Sequence, residues 1–160
     1  MSRRLPPRLE ALLRLVPADA NGVADVGAGH GALSAAQAQR GWRVIATEAR
    51  PGPFDELRRN LARWNVSTLV DARQGSGLEP IAAGEVDTAI VAGMGGHTVL
   101  GIADGAAGRG IPRLLLQCMQ RDELVAPWIA ARGFAAVDRA EVTDRGRQYA
   151  AWLVRVAPGE

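Results

Sequence analysis

The stretch that most constrains the fold is residues 23–33, Val-Ala-Asp-Val-Gly-Ala-Gly-His-Gly-Ala-Leu. It predicts a short apolar strand, a glycine-rich turn and a helix that begins near Gly31. Glycines at positions 27, 29 and 31 allow positive φ angles, and they let the main chain approach a ligand where a Cβ atom would collide. Free amide N–H groups at the helix start face whatever lies above the strand end. Such a strand–turn–helix unit is typical of a cradle for a nucleotide-type cofactor.

The spacing of the glycines distinguishes between cofactor classes. A dinucleotide fingerprint, Gly-x-Gly-x-x-Gly, would need glycine at position 32, which is alanine here. The glycines instead occupy every second position, and Asp25 lies two residues before the first of them. This combination resembles motif I of class I S-adenosylmethionine (SAM) methyltransferases. The alternative interpretation is a plain tight turn between a strand and a helix.

Strands and helices alternate along the chain. Helices are predicted at 6–16, 31–40, 52–64, 96–105 and 121–132, and strands at 22–27, 42–48, 68–73, 87–92, 113–118, 134–142 and 148–156. Pro127 must kink the last helix or delay its start. Repeated alternation implies an α/β protein with a parallel, doubly wound sheet.

The closing hairpin departs from this rhythm, because only residues 144–147 separate the last two strands. Two strands joined so closely must be antiparallel. We therefore expect a Rossmann-like class I methyltransferase fold. Its seven-stranded, mostly parallel sheet would have the order 3-2-1-4-5-7-6, with strand 7 antiparallel and helices on both faces. Residues 1–160 would form a single SAM-binding methyltransferase domain.

Composition excludes several classes of protein. No run approaches the roughly 18 apolar residues of a membrane span, so no membrane partner is expected. Cys118 is the single cysteine, which excludes an internal disulfide and favours a cytoplasmic location. No Cys/His spacing predicts a metal site. All 19 basic residues are arginine. Arg58, Arg59 and Arg63 form a cluster that could be either a solvated helical face or a phosphate-binding stripe.

Two further features fit a nucleoside. Glu48 ends the second strand 21 residues after Gly27, the distance at which an acid reaches a ribose diol. Its alternative role is to cap the strand end at the surface. Ser76, between Gly75 and Gly77, would meet an adenine edge or else form an ordinary turn.

These residues resemble a family, the bacterial TrmK-type tRNA (adenine-N1)-methyltransferases, from Arg8 to Val156. The most specific match is the turn Ala92-Gly93-Met94-Gly95-Gly96 after the fourth strand. Other matching segments are 24–27 followed by His30, Thr47-Glu48, Arg73 to Glu79, Leu115-Leu116-Gln117, and Tyr149.

The resemblance implies methyl transfer from SAM to N1 of a tRNA adenine. The cofactor-binding residues it implies are Arg8, Asp25, Gly27, Ala28, Gly29, Glu48, Ala49, Gly75, Ser76, Gly77, Ala92 and Gly93. The residues expected at the reacting base are His30, Gly93, Met94, Gly95, Gly96 and Gln117. Because adenine N1 already carries a lone pair, no strong base is required for the methyl transfer. His97 is interpreted as a surface residue at a helix start.

The chain departs from the family pattern in several places. Gly29 and Ser76 each stand where the family has an acid. Cys118-Met119 stands where the family has Pro-Asn, and the chain thereby loses the Asn that would bind the exocyclic amine of the base. The family's helical C-terminal domain is expected to be missing, so a homo-oligomer or a separate RNA-binding subunit could contribute to RNA binding. Two alternatives stay open: a SAM-dependent methyltransferase of another RNA or a small molecule, and a SAM-binding partner protein without catalysis.

Overall fold

A computed structural model describes residues 4–159, and this part of the chain forms one sheet of seven strands. The strands are β1 (Gly22–Val26), β2 (Arg43–Glu48), β3 (Val70–Gln74), β4 (Thr88–Gly95), β5 (Arg113–Gln120), β6 (Ala135–Asp144) and β7 (Arg147–Arg155). The helices are α1 (Pro7–Leu15), α2 (Ala32–Gln39), α3 (Pro51–Arg63), α4 (Gly96–Ala103) and α5 (Val125–Ala131). Short 3₁₀ turns cover Ala107–Arg109 and Asp122–Leu124.

The strand order β3-β2-β1-β4-β5-β7-β6 confirms the predicted Rossmann-like methyltransferase topology. Strands β3, β2, β1, β4 and β5 are parallel, and β7 runs antiparallel to both β5 and β6. The β6–β7 hairpin turns through Arg145 and Gly146, with φ angles of 50° and 77°. Two consecutive positive φ angles are the signature of the turn whose twist matches that of paired strands.

The helices cover both faces of the sheet, as predicted. On one face, Leu12 of α1 and Leu33 of α2 share an apolar cluster with residues of β1, β4 and β5. The helix α3 packs against β2 and β3 on the same face. On the other face, Val99 of α4 and Trp128 of α5 join a larger cluster. The carboxyl ends of the parallel strands therefore meet at one edge, above two closed apolar layers.

Two strands are longer than predicted. The fourth strand was expected to end at Ala92, but β4 continues to Gly95 through two register shifts against β5. Gly93 allows the first shift because its φ is +79°, and β5 extends beyond Cys118 to Gln120 to keep pairing. The glycine-rich segment after β4 is thus partly a bulged strand and not a free loop.

The last helix confirms the predicted effect of its proline. A 3₁₀ turn over Asp122–Leu124 precedes α5, which begins at Val125 and has Pro127 as its third residue. In the first turn of a helix the missing N–H of proline removes no intrahelical bond. The regular helix is therefore delayed without a kink.

Candidate cofactor and active site

The turn that follows β1 is held to the end of β2. Gly27, Gly29 and Gly31 have φ angles of +69°, +57° and +90°, which side-chain-bearing residues rarely adopt. The Ala28 N–H donates to the carbonyl oxygen of Thr47 at 2.9 Å. The turn is thus a fixed feature of the sheet edge.

One side of this turn is closed by α3. A Cβ atom at Gly31 would lie 2.6 Å from Cδ1 of buried Leu57, so this position must be glycine. The Asn60 side-chain amide donates to the carbonyl oxygen of His30 at 3.0 Å. By contrast, a Cβ atom at Gly29 would meet nothing within 4 Å. The turn is therefore backed by α3 and open at Gly29.

Asp25 lies beneath the turn. Its carboxylate is buried in β1 and accepts a 2.5 Å hydrogen bond from the Ser34 hydroxyl of α2. Burial raises the pKa of this carboxyl to about 6, the Ser34 hydroxyl opposes the shift, and the nearby charge of Glu48 adds to it. Asp25 thus ties the first turn of α2 to β1. The sequence indicated Asp25 but not Ser34, since a small hydroxyl in a helix carries no motif.

Glu48 ends β2 directly beside the glycine turn. Its side chain is only 9% exposed, and its Oε2 accepts a 3.2 Å hydrogen bond from the N–H of Gly29. The described residues supply no further hydrogen bond to this carboxylate, which has several lone pairs available. The exposed residue Ala49 follows it. A buried carboxylate with spare acceptor capacity therefore borders open main chain.

The segment after β3 joins the same edge. The Gly75 N–H donates to the carbonyl oxygen of Glu48 at 3.0 Å, and the Thr47 hydroxyl donates to the carbonyl oxygen of Gly77 at 3.2 Å. Ser76, Gly77 and His97 line a cleft of about 340 Å³ that extends along α4. The Ser76 and His97 side chains are exposed. Thr47 is a bridging residue whose role the sequence did not indicate.

Gln117 holds the end of β4 in place. This side chain is fully buried, and its Oε1 accepts hydrogen bonds from the Gly93 N–H at 3.2 Å and from Arg8 Nη1 at 3.4 Å. Its Nε2 donates to the carbonyl oxygen of Cys118 at 2.8 Å. Both ends of the amide are therefore engaged inside the protein. Gln117 is positioned to orient Gly93, and it leaves no group directed at a ligand.

The β1 and β4 turns touch each other. A Cβ atom at Gly27 would lie 3.4 Å from Cε of Met94, whose side chain covers that glycine. At Gly96 a Cβ atom would come within 2.7 Å of the carbonyl oxygen of Arg121, so the start of α4 also requires glycine. Ala92, Gly93 and Gly95 complete this junction. The predicted cofactor and base-binding segments are thus neighbours at one edge.

The single cysteine near this edge is not an activated nucleophile. Burial raises the pKa of the Cys118 thiol to about 11, and Asp122 and Glu123 act in the same direction. His30 lies in the glycine turn with an exposed side chain. Among the described residues, no three His, Cys, Asp or Glu side chains are placed to hold a metal ion. Over the same range, no helix is both long enough and apolar enough to cross a membrane.

The sheet order and the glycine turn together define a class of protein. The chain belongs to the methyltransferase domain family, whose sequence profile matches residues 5–151.

The particular relatives include a tRNA methyltransferase. The chain is 29% identical over 150 residues to the tRNA (adenine(22)-N(1))-methyltransferase of Bacillus subtilis (strain 168), covering 91% of this chain and 63% of that enzyme. The crystal structure of the B. subtilis M1A22 tRNA methyltransferase TrmK superimposes with a TM-score of 0.88 at 27% identity, over 97% of this chain and 68% of that one. Streptococcus pneumoniae Sp1610 in complex with S-adenosyl-L-methionine gives a TM-score of 0.86 at 26% identity, over 96% and 73% of the two chains.

Proposed function

We propose that this protein is a SAM-dependent methyltransferase that modifies N1 of an adenine in tRNA, with residues 1–160 acting as a single cofactor-binding domain. The observation that carries the proposal is the buried Glu48 carboxylate beside the open main chain of Gly29. The relatives supply the substrate class, because the B. subtilis protein is a tRNA (adenine(22)-N(1))-methyltransferase. The chain spans 63% of the length of that enzyme, so activity and substrate are proposed from the shared part.

The site fits the proposed cofactor. Gly29 leaves open space where a Cβ atom would otherwise stand, and the main chain of this turn would approach the cofactor there. Glu48 retains acceptor capacity for the two hydroxyl groups of a ribose. The residues proposed to hold SAM are Arg8, Asp25, Gly27, Ala28, Gly29, Glu48, Ala49, Gly75, Ser76, Gly77, Ala92 and Gly93. Asp25 and Arg8 would act through Ser34 and Gln117, since their side chains are bonded to those residues.

The proposed methyl transfer does not need a side chain that acts as an acid, base or nucleophile. SAM supplies a methyl group bound to a positively charged sulfur, which a nitrogen lone pair can attack. The main chain from Gly93 to Gly96, fixed by Gln117 and by the close approach of Arg121, would orient the base edge. His30 would lie at the rim of this position. The rate gain would come from orientation and from exclusion of water, so the reaction would not require an activated base.

Two measurements test the proposal. Titration calorimetry with SAM and with S-adenosylhomocysteine should show binding at micromolar concentrations, and its absence for both would overturn the cofactor assignment. Mass spectrometry of nucleosides from tRNA incubated with protein and SAM should show 1-methyladenosine. The control is the Glu48→Ala variant at equal concentration. Cofactor binding without 1-methyladenosine would remove the tRNA adenine assignment and keep the methyltransferase one.

A second function is favoured by one local observation. Cys118 is buried and its thiol is protonated at neutral pH, and Met119 lies beside Gln117 at 3.6 Å. Each side chain offers only a weak sulfur acceptor to an adenine amine, which supports methylation of a different RNA or of a small molecule, or SAM binding by a non-catalytic partner protein. Activity on total RNA that is lost on purified tRNA would favour the first of these.

The proposed substrate also places the protein and its partners. An enzyme of tRNA would work in the cytoplasm. A homo-oligomer or a separate RNA-binding subunit would add RNA affinity to this domain. Light scattering after size-exclusion chromatography, with and without tRNA, would identify a second copy by its mass.

A further inference from the structure

The helix α3 has two faces with different tasks. Its inner face packs Leu57 and Leu61 into the core, and Asn60 holds the carbonyl oxygen of His30 in the glycine turn. Its outer face carries the exposed side chains of Arg58 and Arg59. The inner face therefore belongs to the candidate site, while the outer face has no role in it.

The outer arginines lack carboxylate partners. Within residues 4–159, neither Arg58, Arg59 nor Arg63 forms an ion pair, whereas Arg73 pairs with both Asp71 and Glu85. The guanidinium group of Arg58 lies over the ring of Phe54, 5.9 Å from its centroid. A solvated helical face gains from mixed charges. Asp55 and Glu56 are also exposed on α3, but among residues 4–159 neither forms an ion pair with an arginine of this face, so the guanidinium groups remain available to an anion.

A cleft beside the edge strand β3 concentrates this charge. Its volume is about 930 Å³, and its walls include Arg43, Arg58, Arg59 and Asp55. The other acids in the walls, Asp71 and Glu85, are both taken by Arg73. Arg43 in turn donates a hydrogen bond to the carbonyl oxygen of Glu85. The arginines of the cleft that remain available to bind an anion are therefore Arg58 and Arg59 of α3.

The position of α3 connects this surface to the candidate active site. The helix begins at Pro51, three residues after Glu48, and its 13 residues lead away from the cofactor edge. At 1.5 Å per residue it is about 20 Å long. A strand of nucleic acid with one base at the site could therefore continue along the helix.

We propose that the outer face of α3, from Arg58 to Arg63, together with the cleft beside β3, binds the phosphate backbone of the RNA strand that flanks the methylated nucleotide. The inference rests on the proposed function. Guanidinium groups bind phosphate oxygens in a two-pronged arrangement, and such contacts position a nucleic acid without reading its sequence. This surface would therefore supply affinity and orientation, and the β4 turn would supply the choice of base.

The test compares two double variants of the full chain. Arg58→Gln with Arg59→Gln removes two charges from the proposed surface, and Arg14→Gln with Arg155→Gln removes two exposed charges elsewhere. The dissociation constant for tRNA is measured by fluorescence anisotropy over a series of salt concentrations. For the first pair we expect about tenfold weaker binding near 0.1 M salt, and a slope of log K against log salt that is smaller by about 2. For the control pair we expect a change of less than about twofold.

The outcomes separate this inference from the proposed function. SAM affinity, measured by calorimetry, should stay at the wild-type value in both double variants. Equal loss of RNA binding in the control pair would overturn the proposed RNA-binding surface, since removing any two exposed positive charges would then weaken binding by the same amount. Wild-type binding and an unchanged salt slope in Arg58→Gln/Arg59→Gln would overturn it too, while 1-methyladenosine formation would still support the enzyme. A wild-type protein that binds SAM but no RNA would overturn both the surface and the RNA substrate.

Discussion

Replacing the two glycines Gly29 and Gly31 with alanine, one at a time, should have opposite consequences. At Gly31 the new Cβ atom would lie 2.6 Å from Cδ1 of Leu57, at a φ of +90°. The left-handed backbone costs an alanine about 1–2 kcal/mol. Forcing a methyl group against a buried leucine costs about 1–3 kcal/mol more. The free energy of unfolding of Gly31→Ala should therefore fall by about 2–5 kcal/mol.

At Gly29 only the backbone contribution applies. A Cβ atom there meets nothing within 4 Å, and φ is +57°, so the loss of stability should be about 1–2 kcal/mol. The added methyl group would instead project into the open space proposed for the cofactor. We expect SAM affinity to fall at least about tenfold, which corresponds to about 1.4 kcal/mol. Gly31→Ala should therefore mainly lower the stability of the fold, whereas Gly29→Ala should mainly lower the affinity for SAM.

The assays are urea denaturation for stability and calorimetry for SAM. At roughly 2–4 °C per kcal/mol for a chain of this size, thermal melting should show the same ranking. Gly101→Ala is the matched control for stability: Gly101 lies exposed in α4, and a Cβ atom there meets nothing within 4 Å. This change should be neutral or stabilise the protein by up to about 1 kcal/mol. Gly31→Ala with wild-type stability, or Gly29→Ala with wild-type affinity, would refute the assignment of the closed and open sides.

Three other substitutions test separate parts of the site. Glu48→Ala should weaken SAM binding by about 1–3 kcal/mol through loss of charge-assisted hydrogen bonds, and calorimetry showing unchanged affinity would mean that the ribose binds elsewhere. The pKa of Asp25 is about 6 in the folded protein, against an ordinary value of 3.8, so protonation of this carboxyl stabilises the folded state. The stabilising free energy is fully present below about pH 4 and is lost as the pH rises through 6. Urea denaturation at several pH values should show wild-type stability falling by about 3 kcal/mol relative to Asp25→Asn between about pH 4 and pH 7; parallel profiles would contradict it. Gln117→Leu should lower stability by about 1–3 kcal/mol because the Gly93 N–H loses its acceptor, and calorimetric melting at the wild-type temperature would exclude that bond.

The sequence was informative where local chemistry decides the structure. The short spacing across Arg145 and Gly146 allowed only an antiparallel hairpin, and the glycines from 27 to 31 marked the turn that the structure contains. The end of β4 could not be predicted in the same way. Its extension to Gly95 depends on pairing with residues up to Gln120 of β5, which lie far along the chain. Glycine-rich segments carry no side-chain pattern that reveals such a partner.

The candidate site was predictable as a set of positions but not as a set of contacts. The sequence predicted Asp25, Glu48 and Gln117 near the carboxyl ends of strands, and in the structure all three lie near one edge of the sheet. The sequence alone does not distinguish a side chain that faces a ligand from one that forms hydrogen bonds to the main chain. Gln117 lies in a strand covered on both faces, where the apolar run gives no period, and its amide turns out to serve Gly93 and Cys118.

The helix α3 shows how a single helix can link the fold to the proposed function. Leu57 and Asn60 fix the glycine turn from below, while Arg58 and Arg59, the intervening residues, face solvent. Because helical periodicity separates the two faces, the outer arginines can be exchanged without disturbing the turn. The inner residues cannot, since Leu57 packs directly against Gly31. The proposed RNA-binding surface and the proposed cofactor site should therefore be separable by mutation, and the two double variants measure that separation.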